Sequence, residues 1–523
     1  MQKQQKRGAV HLIDALIDGG VNHCFANPGT SEMHFISALD QSPEMRAVLC
    51  LFEGVVTGAA DGYGRMARKP AATLLHLGPG LANGLANLHN AKRGGSPVVN
   101  IIGEHARDHI QYDSPLTTDI EAIAAPFSSW VGCCSEPSNI KQSARDAIKA
   151  AKARPGCVAS LILPADIAWT HCDPAAAANE INENGDCTDE TSIKEAAKLL
   201  AGSGNTLLLI GSDGLLETGL LAAGRIATST GAELLAPTHC ARIERGEGRV
   251  DIARIPYPVP QALDRLKDFD TVILAGATEP VAFFAYPDKP SRLLQPSTHI
   301  FQLASRSENI TDALEQLADM VSPSGKEPLL ETRNIPMKPE GSLTAEALAL
   351  SVAAHMPENA IIADESISSG RAFFQLTRGA PVHSWLPTAS GSIGIGLPMS
   401  IGAAIACPDR RIINLQADGS AMYTLQSLWT MAREKLDVVT IILANRGYAI
   451  LRGEMTNVGL GNPGPVARDL LEVDRPELDW VSLAKGMGVE ATSAEDCRQF
   501  NDALEHALNR TGPFLIEARL AGL

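Results

Sequence analysis

The stretch that most constrains this chain is a strand-like run over residues 411–416 that leads into Asp418-Gly419-Ser420. A helical pattern follows over 421–434, then a second apolar run over 438–443, and then Asn445. Strand, helix, strand in this order predicts a βαβ unit with parallel neighbours. In such a unit the carboxyl ends of both strands meet beside the N-terminus of the intervening helix, where α/β proteins take ligands. An aspartate and an asparagine would then share one spot. Hard oxygen donors suit Mg²⁺, which needs few protein ligands when phosphates complete its octahedron. The helix N-terminus offers unpaired N–H groups to the same phosphates. The spacing therefore predicts a site for a Mg²⁺-bound diphosphate.

The same alternation runs through the whole chain. Its 523 residues suffice for about three domains. Two stretches read as linkers. Residues 173–191 are rich in Ala, Asn and acids without apolar periodicity, and 322–342 carry several Pro, Gly and charged residues. They divide the chain into 1–172, 192–321 and 343–523. The expected fold class is α/β, with three doubly wound parallel-sheet domains. The first and last thirds echo one another: strand 72–76, turn 78–80, helix 81–92 and strand 97–102 in the first match the βαβ order of the last. Only the last carries the acidic position. The middle third, with strands at 206–210 and 271–275, shows no chemical motif.

Aromatics make up only 4% of the residues, so the cores must rest on Ala, Val, Ile and Leu. A formal net charge of -16 argues against nucleic acid or an anionic membrane as partner. The ten cysteines lack metal-ligand spacing, Cys133-Cys134 being merely adjacent, which fits reduced thiols in an intracellular protein. Residues 1–7 are polar and basic with no apolar signal-type run behind them. The apolar segment 391–407 contains glycines and Pro398, which disfavour a membrane span. A soluble cytoplasmic protein is expected.

Asp418-Gly419 followed by Asn445 resembles the metal–diphosphate motif of thiamine diphosphate enzymes. Further segments agree in order: Asn27-Pro28-Gly29-Thr30-Ser31-Glu32, Phe52-Glu53-Gly54, Gly391-Ser392-Ile393-Gly394 and Asp479-Trp480-Val481-Ser482-Leu483-Ala484. The resemblance covers nearly the whole chain and is strongest to the group containing benzoylformate decarboxylase and acetolactate synthase. Ala417 and Ala444 replace residues often Gly and Asn in the motif, but neither position supplies a metal ligand.

The resemblance implies thiamine diphosphate and Mg²⁺ as cofactors, bound between a pyrimidine-binding first domain and a diphosphate-binding last domain of different subunits. Asp418, Asn445 and the backbone oxygen of Gly447 would hold the metal. Gly419, Ser420 and Ser368 would lie near the diphosphate, with Tyr448 also at the cofactor. Glu53 would protonate N1′ of the aminopyrimidine in a partner's site, so a dimer or tetramer is expected. The backbone oxygen of Gly391 would accept from the 4′-amino group, and Ile393 would hold the cofactor bent. Read alone, Glu53 is a first-turn helix residue, and 391–394 a packing turn.

His76 matches an active-site histidine of benzoylformate decarboxylase and is open between acid–base work and a structural role. Thr30 is a candidate substrate contact on the loop that also holds Glu32. His105 and His109 have no assigned role. The decarboxylase's second histidine aligns with Ala285, and aromatic pocket positions align with Gly453 and Glu454. Losing aromatic walls and gaining a carboxylate argues against an aryl substrate.

The implied activity is loss of CO₂ from a small 2-oxo acid, with aldehyde release. The alternative is transfer of the decarboxylated unit to a second carbonyl compound, as in acetolactate synthase. Those synthases also hold FAD, a further candidate cofactor. A catalytically silent cofactor-binding protein remains a rival. A nicotinamide oxidoreductase lacks a G-x-G-x-x-G turn in strand–helix context.

Overall fold

The computed structural model describes residues 5–175, 188–322 and 325–520. Among the described residues the strands form three sheets. The first has the spatial order Arg46–Leu49, His23–Asn27, Ala71–Leu75, Val98–Glu104, Val158–Pro164, Trp130–Cys133, all parallel. The second runs Ala253–Arg254, Glu233–Ala236, Thr206–Ile210, Thr271–Ala275, His299–Ala304, again all parallel. The third places Val438–Ala444 and Ile412–Ala417 at its centre. Phe514–Arg519 and Glu490–Ala494 lie on one side of that pair, and Ala360–Glu365 and His383–Pro387 on the other. The central strands are buried on both faces and read as continuous apolar runs, as parallel sheets require.

Three departures from the sequence expectation are instructive. Ile243–Arg245, from the middle third, leaves its own sheet and pairs antiparallel with His383–Pro387, so the third sheet is mixed. The helix expected over 421–434 is two pieces, Asp418–Ala421 and Ser427–Glu434. Between them Tyr423 packs against Gly394, and Thr424 Oγ1 donates to Gly394 O at 3.0 Å, a tertiary contact that competes with the helical ladder. The turn expected at 78–80 is instead the first turn of the helix Leu77–Gly94. A left-handed Leu77 (φ 54°) makes the sharp bend one residue earlier, and Pro79 is tolerated where N–H groups have no intrahelical partner. Of the expected linkers, residues 176–187 lie outside the described residues and a helix begins at Glu190. Residues 325–341 carry no helix or strand.

The helices Glu53–Ala67 and Gly396–Ala406 touch backbone to backbone. A Cβ on Gly62 would sit 2.2 Å from Met399 O, and one on Gly402 1.9 Å from Ala59 O, so only glycine permits this approach. Nearby, the fully buried Arg65 pairs with Asp61 at 2.7 Å and donates to Pro387 O at 2.8 Å, tying the first sheet's helix to the third sheet. Such a paired, hydrogen-bonded charge is costly to break on one side only. No helix among the described residues is long and apolar enough to cross a membrane. The nine described cysteines are free thiols.

Candidate active site

Leu443 lies opposite Ala417 in the parallel register, so the two strands deliver Asp418 and Asn445 side by side. Asp418 is buried; its Oδ1 accepts the N–H of Gly419 at 2.8 Å and its Oδ2 that of Arg446 at 2.7 Å. Burial pushes its pKa above the usual carboxylate range, opposed by the backbone N–H groups of Arg446, Gly419 and Asn445. No cation accompanies it among its described partners. Asn445 donates to Ser369 Oγ at 2.9 Å and accepts from Gly447 N at 3.0 Å. Ser368 is the neighbouring residue, half-buried on the same loop. Ser420 Oγ accepts from Gln416 Nε2 at 2.7 Å and donates to Ala417 O. Tyr448 lies over Gly419: a Cβ there would be 2.6 Å from its ring. Among the described residues no cluster of three His, Cys, Asp or Glu side chains could hold a metal. One carboxylate, one amide and a backbone carbonyl form a different donor set, and these could hold Mg²⁺.

The Gly391–Gly394 loop is anchored from both sides. Glu365, fully buried, accepts the N–H groups of Gly394 (2.7 Å), Ile395 (3.3 Å) and Gly396 (2.8 Å) and the amide of Gln416 (2.9 Å). Burial raises its pKa, and those four donors oppose the rise. From the first domain, Asn87 donates to both Gly54 O (2.8 Å) and Gly394 O (3.2 Å), and Asn90 donates to Ser392 O (2.8 Å). Gly391 is left-handed at φ 79° and lies under the ring of Phe283.

Gly391, Ile393, Tyr448 and Glu454 line a cavity of about 800 Å³ between the second and third sheets. Phe283, Phe284, Tyr257 and Tyr423 line it too, so aromatic walls come from segments other than Gly453. The phenols of Tyr257 and Tyr286 lie beside Glu454, and burial first, then Glu454 and Tyr257, raises the Tyr286 pKa. His239 also lines the cavity. Its Nδ1 must carry the proton it donates to Thr388 O at 3.2 Å, leaving Nε2 a buried acceptor without a partner. Burial lowers its pKa.

Glu53 and His76 are not among that cavity's walls. They lie together at the carboxyl ends of the first sheet. Glu53 is buried and accepts from Asn27 Nδ2 and Asn83 Nδ2, each at 3.0 Å. His76 Nδ1 meets Glu32 Oε2 at 2.8 Å. Glu32 is buried where only Gly103 leaves room, because a Cβ there would be 1.6 Å from Oε1. Burial raises the Glu32 pKa, with the Gly29 N–H and His76 opposing. One loop thus supplies partners to both groups, Asn27 to Glu53 and Glu32 to His76. Thr30 is exposed on it. His105 bonds Ser114, and its ring lies tilted beside that of His109 (centroids 5.5 Å apart), apart from the cavity. Ala285 is exposed beside Phe284. Glu365, Asn87 and His239 carry no local signal in the sequence; each matters through partners distant in the chain.

A second cavity, of about 420 Å³, lies between the first and second domains. Arg68, Lys69, Arg154, Arg242 and Arg306 line it against a single acid, Asp213.

Residues 6–123 match the N-terminal TPP binding domain of thiamine pyrophosphate enzymes, and residues 368–518 match the C-terminal TPP binding domain. IlvX of Mycobacterium tuberculosis, a provisionally named acetolactate synthase large subunit, is 46% identical over 517 residues, covering 99% of each chain. The chain belongs to the thiamine diphosphate-dependent enzymes. Benzoylformate decarboxylase of Pseudomonas aeruginosa is 30% identical over 535 residues, covering 95% of this chain and 96% of that one. A solved thiamine diphosphate-dependent 4-hydroxybenzoylformate decarboxylase from Rhodococcus jostii superposes with a TM-score of 0.86 at 26% identity, covering 99% of this chain and 100% of that one. This thiamine diphosphate enzyme is therefore related to both benzoylformate decarboxylase and acetolactate synthase.

Proposed function

We propose that this enzyme removes CO₂ from a 2-oxo acid and releases the aldehyde, using thiamine diphosphate held through Mg²⁺. Bound there, the cofactor supplies a carbon nucleophile and an electron sink. The observation that carries the reading is the pairing of Asp418 with Asn445 at adjacent strand ends, beside glycine-rich backbone. The buried Asp418 carboxylate, raised in pKa and without a cation, fits a divalent metal that would keep it ionised. Asp418, Asn445 and Gly447 O would hold the metal, and Gly419, Ser420, Ser368 and Tyr448 would border the diphosphate. Gly391 O and Ile393 would set the cofactor's bend.

Glu53 would hold the proton at the aminopyrimidine, and His76, oriented by Glu32, would move a proton at the substrate, with Thr30 beside it and Glu454 on the opposite wall. Because Glu53 and His76 stand outside the cavity that contains Ile393, we propose that they complete a partner subunit's site in a dimer or tetramer. We retain 1–172, 192–321 and 343–523 as the domains, and the cytoplasm as the location. The basic second cavity would suit the diphosphate of a flavin dinucleotide, as FAD would require; a yellow purified protein would support it and a colourless one would count against it.

The test is CO₂ release from a panel of 2-oxo acids with added cofactor and Mg²⁺. Aldehyde formation in step with CO₂ supports the decarboxylase. Acyl transfer to a second carbonyl compound would instead support the carboligase reading, which the IlvX relationship favours.

A further inference from the structure

The large cavity holds charge of both signs, and the carboxylates in it are already engaged. Asp364 accepts from the Ser366 N–H (3.1 Å) and hydroxyl (2.5 Å) and from Trp385 Nε1 (3.2 Å). Glu365 is taken by the 394–396 backbone and Gln416. Glu454 accepts from Asn457 Nδ2 at 3.3 Å and lies beside the phenols of Tyr257 and Tyr286. Arg254 differs. It is half-buried on the same wall and has neither a hydrogen bond nor an ion pair among the described residues. Its guanidinium lies 4.3 Å from the centre of the Phe374 ring, which also carries Arg245 at 3.5 Å. Stacking holds a guanidinium in place while leaving its in-plane donors free. Arg245 has Asp251 at 3.8 Å, so the nearby acid is already shared elsewhere.

A fixed, partly desolvated cation without a counter-ion points to an acidic ligand. The carboxylate lost as CO₂ is a poor candidate. Its charge disperses in the transition state, so pairing it would stabilise the bound ground state more and slow the step. A carboxylate that stays on the product carries no such penalty, because it is paired equally before and after.

We propose that Arg254 is the specificity-determining residue of this cavity and that the 2-oxo acid carries a second acidic group, retained through the reaction, which pairs with it. This rests on the decarboxylation reading above and narrows its substrate class to 2-oxo dicarboxylic acids.

The test compares 2-oxoglutarate with the length-matched 2-oxopentanoate, which lacks the second carboxylate, in wild type, Arg254→Gln and Arg254→Lys. Wild type should favour the diacid in kcat/KM by roughly 10- to 100-fold, the worth of a hydrogen bond to a charged group. Arg254→Gln should lose that preference, its kcat/KM falling far more on the diacid than on the monoacid, and Arg254→Lys should keep part of it. A wild-type preference for the monoacid, or an equal loss on both in Arg254→Gln, overturns the proposal. So does a weaker cofactor affinity with the preference intact, which would assign Arg254 to the cofactor's diphosphate. If no 2-oxo acid is turned over although the cofactor binds, the decarboxylation reading fails separately. Calorimetry with glutarate against pentanoate then decides: glutarate binding that Arg254→Gln abolishes supports the cation's role, and equal binding of both overturns it.

Discussion

The carboxylate of Glu365 takes the N–H of Gly394 at 2.7 Å and so fixes the loop that presents Gly391 and Ile393 to the cavity. A glutamine keeps the size but turns an amide N–H₂ toward backbone donors. Glu365→Gln should weaken thiamine diphosphate binding by roughly tenfold or more, the cost of losing charge-assisted bonds. Isothermal titration would read it; unchanged affinity would remove Glu365 as the loop's anchor.

Metal dependence should follow the ionisation of Asp418. Its pKa is raised by burial, so protonation competes with metal over a higher pH range than at an exposed aspartate. Mg²⁺-dependent cofactor affinity should therefore fall as pH drops through that raised value and recover above it. Asp418→Ala should cost more than the roughly 10- to 100-fold typical of an outer-shell metal partner. Affinity measured against pH in both proteins checks the sign.

The proposed sharing of the site between subunits predicts complementation. Glu53→Gln and Asp418→Ala should each be inactive. After the two are unfolded and refolded together, half the dimers should be mixed, each with one site that has both residues intact. About a quarter of wild-type activity should return. A mixture as silent as its parents would place Glu53 and Asp418 in the same subunit's site.

Acid should destabilise the fold through its buried histidines. Burial holds His383 down to about 3, and His23 to about 4. Folded values below the ordinary 6.5 mean that the unfolded chain binds more protons, so their contribution is present above about 6.5 and lost as pH falls. For the fully buried His383 the slope is about 1.4 kcal/mol per pH unit. Melting temperature should fall from pH 7 to pH 5, less steeply in His383→Gln. An equal slope in both proteins would contradict this.

Asp418, Asn445 and their strands could be read from the sequence because period, spacing and a turn coincide within one βαβ unit. Strands Thr206–Ile210 and Thr271–Ala275 were equally plain, being short continuous apolar runs. The broken helix after Ser420 could not be read, since Gly394, not local propensity, decides it. Nor could Ile243–Arg245, three residues whose partner strand lies in another domain. Arg254 and Glu365 carry no local pattern; what distinguishes them is which neighbours are present or missing. Aromatic lining is illegible for the same reason: Phe283 and Tyr257 enter from the second domain, not from the segment of Gly453 and Glu454.

Activation of the cofactor by Glu53 is read out by the rate at which bound thiamine diphosphate exchanges its C2 proton for deuterium, followed by acid quench and NMR. Wild type with Mg²⁺ should exchange far faster than free cofactor, and Glu53→Gln, still binding the cofactor, should lose roughly 100- to 10,000-fold of that rate. Exchange no faster than in free cofactor, or equal in the two proteins, would contradict that role of Glu53.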